Sequence, residues 1–211
     1  MDRDFWLDRW ETNDIPFHES EANAFLVRYF ATLTLPPAAR VFVPLCGKTR
    51  DIAWLLAQGL RVVGAELIEL AITDLFAELG LKPDISTIGA LQRYRATGID
   101  IFVGDIFDLT RDVLGDVDAV HDRAALVALP PDLRARYAAH VIEMTGAAPQ
   151  LLNCFEYDQS LMRGPPFSVE ADEVARLYGA TYTVTLLERG VVKGGLRGQE
   201  AQNAVWVLHQ T

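Results

Sequence analysis

A carboxylate, a lone glycine turn and a set of aromatic rings are the residues of this chain best spaced for ligand chemistry. Glu66 ends the apolar run Arg61-Val-Val-Gly-Ala-Glu66 and follows Gly47, in Leu45-Cys-Gly-Lys-Thr49, by about 20 residues. A strand-end acid at that distance can accept hydrogen bonds from both hydroxyls of a ribose. Farther on, Val103-Gly-Asp-Ile-Phe-Asp-Leu109 offers Asp105 to an exocyclic amine, with Ile106 and Phe107 to pack on the face of a base. These features describe a nucleoside pocket at the carboxyl ends of parallel strands.

Three ligand classes compete for the turn after Val41-Phe-Val-Pro-Leu45. Gly47-Lys48-Thr49 invites a phosphate loop, but the position that needs the first glycine of that motif is Phe42. Without it the loop cannot wrap phosphates. A dinucleotide fold needs three glycines here, and Lys48, Thr49 and Arg50 would crowd a diphosphate. S-adenosylmethionine has no phosphate. One glycine and exposed main-chain groups suit its amino-acid portion, and Glu66 suits its ribose. The pattern favours a methyltransferase. No Ser/His/Asp or paired-carboxylate constellation stands beside it, so no catalytic base is assigned. The histidines lack metal-ligand spacing and neither cysteine joins them, so no metal site is expected.

The elements that must hold these residues alternate. Strands are expected at Val41 to Leu45, Arg61 to Glu66, Ile99 to Val103, Val117 to His121 and Gln150 to Glu156. Helices are expected at about Glu19 to Leu33, Arg50 to Gln58, Glu69 to Leu79, Pro131 to Met144 and Glu170 to Tyr178, with Ser168 capping the last. Gly80 suits a carboxyl cap. The runs Tyr182 to Glu188 and Ala201 to His209 read as an antiparallel pair at one edge, and Lys82 to Gly98 as a loop or insertion. Alternation of this kind builds an α/β, mostly parallel, doubly wound sheet. The 211 residues suit one domain, with residues 1–35 as an aromatic segment over the ligand site.

Half of the residues are apolar, enough for a sizeable core, and no apolar run reaches the roughly 18 residues of a membrane span. The amino terminus, Met1-Asp-Arg-Asp-Phe-Trp6, has no export-signal pattern, so a cytoplasmic location is expected. The net charge of −10 disfavours nucleic acid and anionic membranes, which leaves a small-molecule partner and a monomer as the expectation. Cys46 and Cys154 lie in apolar runs and read as buried reduced thiols.

In wording and order the chain resembles the thiopurine S-methyltransferase family in its bacterial form. The resemblance rests on Trp6-x-x-x-Trp10, Phe17-His18, Val41-Phe-Val-Pro-Leu-Cys-Gly-Lys-Thr49, Gly64-Ala-Glu66, Gly104-Asp-Ile-Phe-Asp108, Asp122-Arg-Ala-Ala-Leu-Val-Ala-Leu-Pro130 and Gly164-Pro-Pro-Phe-Ser-Val169. It implies a seven-stranded, Rossmann-like methyltransferase fold with an antiparallel edge strand. It also implies S-adenosylmethionine as cofactor, S-adenosylhomocysteine as product, and a thiopurine-like thiol as acceptor, with selenium and tellurium compounds as further acceptors in a metalloid-detoxifying role. By position in the matching words, Trp10, Leu45, Glu66 and Arg123 correspond to cofactor contacts, with Gly47 at the turn and Asp105 and Ile106 beside the adenine. Phe17 corresponds to a residue of the acceptor pocket, and Phe167, beside the rigid Pro165-Pro166 loop, is expected at the pocket wall. Thr49 stands where serine is frequent, and Leu187 to Ala201 matches no family wording.

Read without the resemblance, Trp6 and Trp10 share a helix face as core packing, and Arg123 forms a local ion pair with Asp122. The competing functions are an O- or N-methyltransferase, which needs a positioned base, and a binding module without catalysis.

Overall fold

The computed structural model describes residues 2–211. It contains nine strands in one sheet: β1 Arg40–Pro44, β2 Arg61–Glu66, β3 Asp84–Ile88, β4 Leu91–Ala96, β5 Ile99–Val103, β6 Ala119–Arg123, β7 Gln150–Glu156, β8 Tyr182–Val191 and β9 Gln202–Gln210. Their spatial order is β3-β4-β5-β2-β1-β6-β7-β9-β8. The five central strands, β5 to β7 in that order, run parallel. The helices are α1 Arg3–Glu11, α2 Ala24–Tyr29, α3 Arg50–Ala57, α4 Glu69–Leu79, α5 Arg111–Leu114, α6 Pro131–Thr145 and α7 Ala171–Tyr178. The α/β, mostly parallel class is therefore as expected, with nine strands rather than seven.

The extra strands come from the segment 82–98, which is not a loop. It folds as the β3–β4 hairpin and adds to the free side of β5, pairing Gln92 to Ala96 with Ile99 to Val103. At the other end, the antiparallel strand β9 lies between β7 and β8, so β8 is the edge.

Side-chain alternation along each strand splits the core in two. Phe42, Val63, Phe102, Val120 and Leu152 face one cluster, covered by Tyr137, Val141 and Met144 of α6 and Val174 and Tyr178 of α7. Val41, Val43, Val62, Ile101 and Leu151 face the opposite cluster, covered by Ile52 and Leu55 of α3, Ile72 and Leu75 of α4, and Leu26 of α2. Helices α4 and α6 end on Gly80 and Gly146 in the left-handed region, where glycine carries no Cβ penalty.

Several boundaries differ from expectation. The helix anticipated from Glu19 begins only at Ala24, because the Asn23 side chain caps it by accepting from the amides of Phe25 and Leu26. Its last turn tightens to a 3₁₀ helix, Phe30–Leu33. Strand β6 runs two residues beyond His121, to Arg123, because Asp122 is satisfied inside the fold. Tyr137 donates to its Oδ2 at 2.7 Å and the Leu126 amide donates to Oδ1 at 3.1 Å. Ser168 does not cap α7: Glu170 holds that place, and the Ser168 hydroxyl accepts from the Tyr157 amide instead.

Both cysteines are buried and unpaired. Among the described residues no helix is long and apolar enough to cross a membrane. Because Tyr137 satisfies a fully buried carboxylate, Tyr137→Phe should cost about 1–3 kcal/mol of stability. Urea unfolding checks this, as a lower midpoint at unchanged slope.

Candidate active site

The carboxyl ends of β1, β2 and β6 open onto a cavity of about 560 Å³. The chain leaves β1 through Leu45 and Gly47, both in the left-handed region at φ 46° and 49°. Glycine adopts that conformation freely, whereas Leu45 is strained there and is held by its surroundings. At the end of β6, Ala124 repeats the device at φ 59°. Sharp exits from both strands turn main chain and side chains toward the cavity.

Glu66 ends β2 in the cavity wall, 7% exposed. The Gly47 amide donates to its Oε2 at 2.8 Å and the Ile68 amide to its Oε1 at 2.9 Å. Burial pushes the Glu66 carboxyl above its ordinary value, and the amide bonds draw it partly back. A carboxylate has about four lone-pair sites, so two amides leave acceptor capacity for a diol. Lys48 turns away from phosphate duty: its Nζ pairs with Asp74 at 3.0 Å and Glu78 at 3.1 Å on α4.

The amino-terminal segment covers the loop. Trp10 lies against Gly47 so closely that a Cβ there would stand 2.9 Å from the indole Cζ2. The Phe17 ring packs edgewise against Trp10 and Trp6, with centroids 5.7 Å and 6.0 Å apart. Together with Ile15, Trp10 packs on Ile68 and Ala71 at the start of α4. Trp6 and Trp10 thus share a face, as helical spacing requires, but that face closes a cavity.

Arg123 does not pair with Asp122. Its Nη2 meets Glu19 Oε1 at 2.7 Å and donates to the Phe17 carbonyl at 3.4 Å, while Nη1 lies 3.7 Å from Asp51 Oδ2. Asp51 is 1% exposed and accepts from the His121 ring at 2.9 Å and from the Asn23 amide at 2.7 Å. Burial alone would raise the Asp51 carboxyl, but His121 and Arg123 bring it below its ordinary value. Sequence reasoning missed Asp51, His121, Glu19 and Asn23. The one available signal was His121-Asp122-Arg123, a polar triplet ending an apolar strand.

Of the residues singled out from sequence, Trp10, Phe17, Leu45, Gly47, Glu66 and Arg123 line the cavity. Asp105, Ile106 and Phe167 do not. Asp105 sits one strand beyond Glu66, its Oδ1 accepting from the Phe107 amide, and Ile106 is buried in the core. Near Phe167 the wall is made by Pro165 and Pro166 instead. The far end is closed by Val127, Phe155 and the β8–β9 connection through Val192 and Leu196, part of the stretch without family wording. His18 also lines the cavity, and burial pushes its imidazole below the ordinary value. Among the described residues no group of three or more His, Cys, Asp or Glu side chains is placed to hold a metal ion.

Known proteins resemble this chain in sequence and in fold. The chain is 60% identical over 212 residues to a thiopurine S-methyltransferase of Xanthobacter autotrophicus, covering all of both chains. It is 49% identical to one of Gluconobacter oxydans, covering 96% of this chain and 92% of that protein. Among solved structures, it resembles the 1,6-didemethyltoxoflavin-N1-methyltransferase of Burkholderia thailandensis with bound 1,6-didemethyltoxoflavin and S-adenosylhomocysteine. The TM-score is 0.66 at 18% identity, over 99% of this chain and 87% of that one, a likeness of fold. The family model described as Thiopurine S-methyltransferase (TPMT) matches residues 1–209, and the chain belongs to that family.

Proposed function

We propose that the protein transfers the methyl group of S-adenosylmethionine to a soft nucleophile, an aromatic or heterocyclic thiol of the thiopurine kind. Selenium and tellurium compounds are further acceptors on the same chemistry. The observation that carries this reading is the buried Glu66 carboxylate, held by the Gly47 and Ile68 amides and facing a cavity with apolar and aromatic walls.

The residues fit the cofactor. Glu66 has the acceptor capacity for two ribose hydroxyls, and Leu45 and Gly47 offer a phosphate-free turn. Asp105 and Ile106 follow Val103, the β5 partner of Glu66; they lie outside the cavity lining, and their assignment to the adenine rests on the family wording alone. Arg123 brings a cation into the wall for the carboxylate of the amino-acid portion. When bound, S-adenosylmethionine supplies an electrophilic methyl group on a sulfonium sulfur. Trp10 and Phe17 cover the reacting centre and exclude water, and of the segment 1–35 the part that carries these rings acts as the lid, since Leu26 and Leu33 belong to the main core. A heterocyclic thiol ionises readily near neutral pH, so positioning suffices and no general base is assigned.

The position of His18 in the wall favours one second reading, transfer to an oxygen or nitrogen acceptor with this imidazole as base. A matched thiophenol and phenol separate the two. Turnover of the thiol alone, retained in His18→Gln, supports the S-transfer reading. Turnover of the phenol, lost in that variant, favours the second, and binding without transfer to either acceptor points to a non-catalytic module.

Two binding predictions follow from the wall. Glu66→Ala and Trp10→Ala should each weaken S-adenosylmethionine binding about 10- to 100-fold by titration calorimetry, the value of one or two lost charge-assisted or aromatic contacts. Affinities equal to the parent would remove those contacts from the site. Since burial raises the Glu66 carboxyl, affinity should hold at neutral pH and begin to fall above the usual carboxylate range as the solution is acidified. Glu66→Gln should bind weakly with a flat profile, and a parent profile equally flat would overturn the assignment.

A further inference from the structure

Asp51 has no place in the chemistry above, yet it is among the most deeply buried charges of the molecule. It stands in the first turn of α3 with Oδ1 on the Asn23 amide and Oδ2 between the His121 ring and the Arg123 guanidinium. A first-turn acid on an exposed helix would answer only to the helix dipole. Here Asp51 is 1% exposed and His121 2% exposed. Burying a carboxylate carries a desolvation cost that its partners recover only in favourable geometry. The carboxylate accepts, so His121 Nε2 carries the proton and donates, while its Nδ1 is buried without a partner among the described residues. Among those residues no partner on the Nδ1 side competes with Asp51 for the imidazole.

The contacts of this cluster join three separate elements. Asp51 belongs to the helix after β1, His121 and Arg123 to the end of β6, and Asn23 to the amino-terminal segment. Arg123 holds the same segment a second time, at Glu19 and at the Phe17 carbonyl. Phe17 in turn packs against Trp10, which lies on Gly47. Fixing one carboxylate therefore fixes both the Arg123 cation and the aromatic cover.

We propose that Asp51 is a positioning residue of the transferase site, orienting Arg123 in the cavity wall and latching segment 17–23, whose Phe17 ring packs on Trp10, over the cofactor. This rests on the cofactor reading given above, and it assigns Asp51 no contact with the reacting atoms. Asp51→Asn keeps the volume and an oxygen for the Asn23 amide, but turns a donor or a neutral group toward His121 and Arg123.

A double-mutant cycle on the full chain tests the coupling, with S-adenosylhomocysteine as the calorimetric probe. Asp51→Asn should weaken binding at least about tenfold in the parent, and less than about twofold when Arg123→Gln is already present. Equal losses in both backgrounds, or no loss in the parent, overturn the positioning role while leaving the site reading intact. A parent protein that fails to bind the probe overturns both. Amide hydrogen exchange of the unmodified protein provides the second measurement, whether or not the variant folds. The Asn23 amide should exchange more slowly than those of Glu19, Ser20 and Glu21, and exchange as fast as theirs removes the latch.

Discussion

A carboxylate at the end of a buried strand must find donors, and nearly everything around the cavity follows from how Glu66 finds them. Its partners are main-chain amides, one from the turn after β1 and one from the start of α4. For the first amide to reach it, the chain must leave β1 through two tight positions, the left-handed Leu45 and the glycine two residues on. For the second, α4 must begin almost at once after β2. Thus one side chain sets the path of two loops and brings the tips of neighbouring parallel strands together. Because amides rather than lysine or arginine neutralise it, the charge remains available to a ligand.

A second polar centre, around Asp51, performs the same service for the other half of the cavity. There the partners are side chains and the connection runs to the amino-terminal segment. The two centres do different things. Glu66 shapes the floor on which a nucleoside can rest, and Asp51 organises the wall and cover. Val127, Phe155, Val192 and Leu196 supply the apolar part of the remaining wall.

The central sheet was legible because its strands are short apolar runs closed by turn residues, and parallel strands buried on both faces look like that. The Gly80 cap was legible for the same local reason. The β3 strand was not, since four of its five residues are exposed and its sequence carries no alternation. The end of β6 was misplaced because Asp122 and Arg123 look like loop residues until Tyr137, Leu126 and Glu19 are brought near them by the fold. The same holds for Asp51. Its type and position are those of an ordinary first-turn acid, and only burial distinguishes it. Of the cavity residues recovered from sequence, Gly47 and Glu66 came from turn chemistry and spacing, and Trp10, Phe17, Leu45 and Arg123 through family wording; at Phe167 the adjacent prolines, not the ring, form the wall.

The cluster beneath α1 is small and separate. Trp10, Ile15, Ile68 and Ala71 make it up, while the large clusters on the two faces of the sheet contain none of them. Peeling α1 away would therefore expose a few side chains and leave both major interiors dry. Local release costs far less than global unfolding under such an arrangement. Access to the cavity and survival of the native state are consequently set by different free energies, and a residue change beneath the cover can alter traffic through the site without shifting the melting temperature.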